Sequence, residues 1–369
     1  MKIFIDGSFY KGTGIGRYYS NLLKLIADET DWEIYTTVPI LFKEDWLSEF
    51  GKYSNVRPVF IKQGRFNLRD LYYTSKVVKE LEKNGCKVFW FPHVNLPFYV
   101  PKNTIVTVHD LCPLTAWWDR NILKKYLFLL FLKKAVEKSR FIVVPSKATR
   151  DELLKKFPQS KEKVKVIYNF LSPEFVHKCS QKTEPIIKED YILFVGNRKK
   201  HKNLRNLILA YSLIKDEINC KLVIAGGKDK GKKVDEIDRL IEEKGLSDHV
   251  IQIVSPSDEV IINLYQHAKL FVFPSFYEGF GYPPLEALAC GCPVITSNIP
   301  VLREILGDEI AVFDPWSVDE IALSIKEILL QGKPKSFQNT LFKSFSSYRL
   351  GNLYLNLIQQ LEDSNTWKE

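Results

Sequence analysis

An α/β architecture with two parallel-sheet domains is what this sequence predicts. Three observations lead to it. The chain has 369 residues, and at roughly 100–200 residues per domain that suggests two domains. Short apolar runs of strand length alternate with stretches whose apolar residues recur at helical spacing, the rhythm of βα units. That rhythm breaks once, over residues 171–189, and then restarts.

Taken in order, Lys2–Asp6 is a strand, and Ile15, Tyr18, Tyr19, Leu22 and Ile26 mark the helix that follows. Trp32–Thr37, Val88–Phe91, Thr104–Val108 and Phe141–Pro145 are further strands. Residues 171–189 are polar, hold two prolines and have no clean period, so they read as a linker. Strands resume at Tyr191–Val195, Lys221–Ala225, Val250–Val254, Leu270–Pro274, Val294–Thr296 and Ala311–Phe313. Leu204, Leu207, Ile208 and Tyr211 form one helical face, and another helix is expected near Val234–Lys244, after a Lys/Asp-rich loop. The expected domains are 1–175 and 185–344, with a helical tail over 345–369 packing back on the first.

Composition excludes disorder: 45% of residues are hydrophobic and 13% aromatic. The net charge of +9 is uneven, with +17 on residues 51–200 and −8 on the rest. A basic central third points to an anionic partner: lipid headgroups, nucleic acid or a phosphorylated small molecule. Cys86, Cys112, Cys179, Cys220, Cys290 and Cys292 contain no C-x-x-C pair, and they read as small buried hydrophobes in a reducing compartment. The start, MKIFIDGSF, has no apolar signal core, and the longest apolar run, Tyr126–Leu132, is too short to span a bilayer. The expected location is cytoplasmic.

Four constellations could carry chemistry. Gly12, Gly14 and Gly16 stand on alternate positions between the first strand and helix. They allow either a plain tight turn or close backbone approach to a ligand. The spacing is not that of the G-x-G-x-x-G dinucleotide fingerprint. Arg198, Lys199, Lys200, His201 and Lys202 lie between a strand and a helix, with Asn203 as its N-cap. They are either a solvated charge run or, at the carboxyl end of a strand, a diphosphate site. In FPSFYEGFGYPPLEALACGCP, Glu278 precedes a Gly279-Phe280-Gly281 turn, and Pro283 and Pro284 suit the first turn of a helix. Glu286 lies one turn further on, and Gly291 is a suitable stop. Two carboxylates flanking backbone amides could hold hydroxyls and an anionic group together, as in a nucleotide sugar. Glu286 could equally be a favourable first-turn carboxylate. Finally, His109-Asp110 closes a strand of the first domain and reads as structural or functional alike.

The segment from Phe273 to Asn298 resembles the E-x7-E motif of retaining glycosyltransferases of family 4, with Glu278 and Glu286 in the glutamate positions. GTGIGRY, VTVHDL, VPSKATRDEL, KVKVIYNF, LFVGNRKKHKNL and LVIAGG are similar to that family too, in the expected order over nearly the whole chain. The resemblance implies a GT-B fold: two Rossmann-like, doubly wound domains facing across a cleft. It implies a nucleotide-diphosphate sugar donor held mainly by the second domain. Arg198 and Lys202 would hold the diphosphate, Glu278 the sugar hydroxyls and Glu286 the ribose, while the loop after Ile253 would hold the base. Gly279, Phe280 and Gly281 would offer backbone amides, His109 would reach the transferred sugar, and Gly14 and Gly16 would close the cleft from the acceptor side. Many relatives have arginine directly after the glycine where this chain has Asn197, so Arg198 is offset by one. GTGIGRY and EGFGYPPLEA are closest to bacterial mannosyltransferases of surface-polysaccharide synthesis, which implies GDP-mannose ahead of UDP- and dTDP-sugars.

No Asp-x-Asp occurs anywhere, so no metal is expected in the transfer, and no other cofactor. The acceptor is expected to be a glycan or a lipid-linked glycan. The stretch from Arg120 to Arg140 is apolar between Lys124, Lys125, Lys133 and Lys134. It reads either as a peripheral membrane-binding surface or as a buried helix with charged ends. An epimerase or phosphorylase of the same fold is the main rival. A nucleic-acid partner is disfavoured, because the cations flank helices rather than interleave with aromatics.

Overall fold

A computed structural model describes residues 1–12, 14–62, 68–116, 121–228, 234–331 and 344–363. Thr13, Arg120, the loop at 229–233 and the end of the tail at 364–369 lie outside the described residues. The chain divides into two compact units, Met1–Phe170 with Ser347–Glu369, and Leu171–Ser346.

The first unit runs β1 (Lys2–Asp6), α1 (Gly14–Glu29), β2 (Glu33–Pro39), α2 (Lys43–Phe50), β3 (Val56–Ile61) and α3 (Leu68–Lys83). It continues through β4 (Val88–Phe91), β5 (Thr104–Thr107), α4 (Ile122–Lys138), β6 (Phe141–Val144), α5 (Lys147–Lys156) and β7 (Val164–Val166). The sheet order is β3-β2-β1-β4-β5-β6-β7, and every neighbour is parallel. β4 and β5 are buried at every residue. Helices cover both faces of such a sheet, which is why its strands read as continuous apolar runs.

β3 and β7 are the strands that apolar runs do not reveal, and they are the two edges of the sheet. Each is only partly buried, and they carry Arg57, Pro58 and Lys165. An edge strand tolerates such residues because one side of its ladder has no partner.

The second unit runs α6 (Pro173–Ser180), β8 (Tyr191–Val195), α7 (Leu204–Ile214), β9 (Lys221–Gly226), α8 (Glu236–Glu243), β10 (Val250–Val254) and α9 (Asp258–His267). Then follow β11 (Leu270–Phe273), α10 (Tyr282–Ala289), β12 (Val294–Ser297), α11 (Pro300–Leu306), β13 (Ala311–Phe313) and α12 (Val318–Gln331). The parallel order is β10-β9-β8-β11-β12-β13. The last described helix, α13 (Ser347–Asp363), returns to the first unit. There Tyr354 packs on Trp90 and Tyr18, with ring centroids 5.7 and 6.1 Å away.

Residues read as a linker contain α6, which Ser172 caps by accepting a hydrogen bond from the Phe175 amide. The second unit therefore begins at Leu171, not at 185. α6 is held there by Gln266, whose Nε2 donates to the carbonyls of Cys179 and Gln181. Cys179 is also disulfide-bonded to Cys290, at a Cα–Cα distance of 4.7 Å. That corrects the reading of all six cysteines as unpaired hydrophobes. The partners are 111 residues apart, and no local spacing announces them.

Chain direction across each sheet reverses once, between β1 and β4 in the first unit and between β8 and β11 in the second. At such a switch point the loops leaving the strands' carboxyl ends part in opposite directions and open a crevice, where doubly wound sheets bind ligands.

Candidate functional site

At the switch point of the second unit, two loops meet. Lys200–Lys202 form a short 3-10 turn after β8, and Asn203 follows in the left-handed region (φ 56°) before α7 begins. Asn203 does not cap α7 through its side chain, contrary to expectation. Its Nδ2 instead donates to the Pro274 carbonyl at 2.9 Å and the Pro315 carbonyl at 2.8 Å, pinning the loops after β11 and β13 to the start of α7. The Phe276 amide donates to the His201 carbonyl at 2.8 Å and joins the same loops a second time.

This clamp brings Lys202 Nζ to 2.7 Å from Glu278 Oε1, with the side chains only 14% and 11% exposed. The lysine also lies 5.3 Å from the centre of the Phe273 ring. Such a pair adds little to stability, because desolvation offsets the Coulomb attraction. It does set a cation and a carboxylate side by side at the mouth of the sheet. His201 beside them is pushed down to a pKa of about 4, first by burial and then by Lys202, so it is neutral at pH 7.

α10 starts just beyond. Gly281 precedes it at φ 101°, where a Cβ would also come within 2.8 Å of Leu302. Pro283 and Pro284 fill the first turn and have no N–H, so donors at this helix end can come only from Gly279 to Tyr282. Gly279 and Phe280 are buried, and the Phe280 ring packs on Phe345. Gly291 (φ 79°) ends the helix, with its amide and that of Cys292 donating to Leu288 and Ala287. Glu286 is 2% exposed, and Tyr265 donates to its Oε2 at 3.3 Å.

Arg198 is directed elsewhere. Its Nη1 pairs with Asp235 at 2.8 Å and Asp238 at 2.9 Å, and its Nη2 donates to Gln252. Burial works against the Asp238 carboxylate, but the Asp235 amide, Arg198 and Lys228 outweigh it and hold the pKa down at about 2. With its side chain only 4% exposed, Arg198 acts here as a latch between the loop after β8, the start of α8 and β10, not as an open anion donor. Ile253 follows Gln252 in β10, paired with Ala225, and the next loop begins at Ser255 (φ 51°), whose amide donates to the Gly226 carbonyl.

The remaining candidates belong to the first unit. Gly14 is exposed at the start of α1, with open space where a Cβ would stand. Gly16 faces the Phe9 carbonyl, which a Cβ would meet at 2.8 Å, so a larger residue there would displace the turn. His109 follows β5. Its Nε2 hydrogen-bonds the Pro92 carbonyl at 2.9 Å, and the Tyr18 ring meets it edge-on at 4.9 Å. Burial pushes the His109 pKa down to about 4, against the Pro92 hydrogen bond, which raises it.

Sequence reasoning passed over Asp235, Asp238, Tyr265, Asp6 and His93. The pattern D-x-x-D across the start of α8 marks a capping box, now observed. Nothing in the sequence ties it to Arg198.

A second surface of the first unit stands out. α4 buries only Leu132, Ala135 and Val136, whereas Ile122, Leu123, Tyr126 and Leu127 are exposed, the first to 82%. Lys134 donates to the Pro97 carbonyl and lies over the ring of exposed Phe98. Lys79 of α3 lies over the neighbouring Tyr99. Among the described residues no helix is long and apolar enough to cross a membrane.

Comparison with known proteins follows the same division. The sequence model described as Glycosyltransferase Family 4 matches residues 14–175, and that of Glycosyl transferases group 1 matches residues 178–340. The chain is 28% identical over 281 residues to O-antigen chain mannosyltransferase B of Escherichia coli, covering 69% of this chain and 72% of that protein. It is 31% identical over 228 residues to O-antigen chain mannosyltransferase RfbU of Salmonella typhimurium, covering 62% and 61%. Among solved structures, sucrose-phosphate synthase of Thermosynechococcus elongatus superposes with a TM-score of 0.76 at 18% identity, covering 99% of this chain and all of that one. Anabaena HepE in complex with UDP superposes with a TM-score of 0.66 at 16% identity, covering 99% of both. Each parallel-sheet unit thus matches its own half of the glycosyltransferase pattern, and the chain belongs to the family 4 glycosyltransferases of GT-B fold.

Proposed function

We propose that this enzyme is a retaining, metal-independent transferase that moves mannose from GDP-mannose to a glycan or lipid-linked acceptor. The observation that carries the reading is the Lys202–Glu278 pair, 2.7 Å apart at the carboxyl ends of β8 and β11. As the glycosidic bond to the donor breaks, negative charge builds on the leaving diphosphate. Lys202 is the cation in reach of that charge, and a site that excludes water strengthens its effect. Glu278 positions sugar hydroxyls rather than attacking the sugar. Glu286, buried and held by Tyr265, takes the ribose hydroxyls. Retention follows when the acceptor attacks on the face that the nucleotide leaves, with the leaving phosphate taking the acceptor's proton. His109 meets the transferred sugar, and Gly14 and Gly16 shape the acceptor side. Mannose is favoured by the mannosyltransferase relatives. A lipid-linked acceptor fits the exposed apolar and basic face of α4, which suits peripheral contact with an anionic bilayer.

The test is a thermal-shift screen against GDP, UDP, dTDP, ADP and phosphate without added metal. A ligand at roughly 100 times its Kd adds about 2.7 kcal/mol of stability. GDP alone is expected to raise Tm. A shift with UDP or dTDP instead would replace the donor, and no shift with any nucleotide would remove the diphosphate site. Product analysis separates the rivals, since an epimerase needs no acceptor and a phosphorylase needs free phosphate.

A further inference from the structure

A buried charge that the transfer chemistry leaves unused lies at the switch point of the first unit. Asp6 ends β1, and its side chain is 3% exposed. His93 follows β4, is 4% exposed, and bonds Asp6 Oδ2 through Nε2 at 3.0 Å. The Asn95 amide donates to His93 Nδ1 at 3.2 Å, so Nδ1 is the acceptor and Nε2 carries the proton toward the carboxylate. The other carboxylate oxygen accepts from the Ser8 amide and hydroxyl and from the Thr37 hydroxyl. Burial alone would push the Asp6 carboxyl up. The contacts from His93, Ser8 and Thr37 outweigh it and hold the group below the usual carboxylate range. Asp6 is therefore a fixed anion whose two oxygens are both engaged, and it orients the His93 ring.

The carbonyl of Pro92, one residue earlier, hydrogen-bonds His109 Nε2. A carbonyl can only accept, so that nitrogen carries the proton and the lone pair lies on Nδ1. We propose that Asp6 and His93 are positioning residues that hold the Pro92 carbonyl in place and so fix His109 as a hydrogen-bond acceptor, its Nδ1 offered to a sugar hydroxyl. The hydroxyl part rests on the transferase reading above; the tautomer part does not. His109 is then no proton donor to the leaving group. A site built to accept from a hydroxyl discriminates against a sugar lacking it, because the buried acceptor would be left unpaired. The same carboxylate shapes the neighbouring turn. Ser8 hangs from it, the Phe9 ring packs tilted against His93 at 4.6 Å, and the Phe9 carbonyl is the group that Gly16 abuts.

The experiment is ring-nitrogen 15N–1H correlation of the six histidines in the full chain without ligand. His109 is assigned by its disappearance in His109→Asn. At pH 7 the wild type is expected to show His109 with Nε2 protonated and Nδ1 bare. His93→Gln, whose amide can still donate to Asp6, is expected to preserve that pattern. His93→Ala and Asp6→Asn are expected to mix the two tautomers. A His109 that carries its proton on Nδ1, or on both nitrogens, in the wild type overturns the proposal whether or not the variants fold. So does an unchanged His109 signal in either disruptive variant that keeps the wild-type fold by circular dichroism. With GDP-mannose as donor, folded His93→Ala is expected to lose roughly tenfold to a hundredfold in kcat while the GDP-induced Tm shift is retained. If GDP-mannose is not turned over by the wild type, the donor reading fails and the ring-nitrogen spectra still decide the positioning role.

Discussion

Lys202 and Glu278 show how little a titratable residue's meaning depends on its own position. Each is one charge in a loop, and neither loop has a regular pattern. Asn203 and the Phe276 amide draw the two loops together and leave the charges 2.7 Å apart. Glu278→Gln keeps the shape and removes the charge. On the positioning reading it loses turnover by at least about tenfold, with donor Kd changed less, because lost alignment acts mainly on the transition state. Near-normal turnover at equal donor affinity in steady-state kinetics would sink that role. His109 and His201 supply a prediction about pH. Both pKa values are about 4 in the folded chain and are lowered from 6.5. The unfolded chain therefore binds more protons between about pH 6.5 and 4, so stability is full above that window and falls as pH drops through it. At pH 5 the loss is about 2 kcal/mol per histidine. Calorimetric Tm should fall from pH 7 to 5, less steeply in His201→Asn, and a flat profile would contradict the assignment.

At the scale of elements, the site depends on strand ends that approach closely. Gly226, the last residue of β9, has φ 143°, and a Cβ there would stand 2.0 Å from the Gly196 carbonyl at the end of β8. No side chain can yield, because the obstacle is backbone. Gly226→Ala is expected to lower stability by about 3 kcal/mol or more and to push apart the loops that hold Lys202 and Arg198. Gly85 is the control. It also has positive φ, but open space surrounds the missing Cβ, so Gly85→Ala should cost only about 1 kcal/mol. Equal losses in urea titrations would show that φ alone matters at Gly226. α10 is built with comparable economy of donors. Two prolines start it, a left-handed glycine stops it, and the buried Glu286 lies between them.

Over the whole molecule, charge and apolar exposure coincide. Residues 51–200 carry +17, and the same stretch holds α4, whose exposed Ile122, Leu123, Tyr126 and Leu127 sit among Lys124, Lys125, Lys133 and Lys134. The exposure of those side chains corrects the alternative of a buried helix with charged ends. Each basic residue near an anionic bilayer contributes about 1 kcal/mol, screened by salt. Flotation with phosphatidylglycerol vesicles is expected to carry the protein upward at low salt and to release it at high salt. Lys124→Glu combined with Lys125→Glu should weaken that binding by roughly tenfold or more. Recovery of all the wild-type protein in the bottom fraction at low salt would refute the membrane contact.

The sequence by itself determined the βα order, the parallel sheets and the placing of the glycine-rich, basic and two-glutamate segments at strand ends. Those features are local. A strand buried on both faces must be apolar throughout, and a helix must repeat near 3.6, so each declares itself within a short window. Tertiary structure alone decided who meets whom. Arg198 latches onto Asp235 and Asp238, 37 and 40 residues away. Asn203 turned from a cap into a clamp. Cys179 found Cys290, and Asp6 found His93. The edge strands β3 and β7, and the exposure of α4, escaped for a related reason. Burial on the second side is set by the order of strands and the packing of helices, and sheet order joins residues whose separation in the chain leaves no period to read.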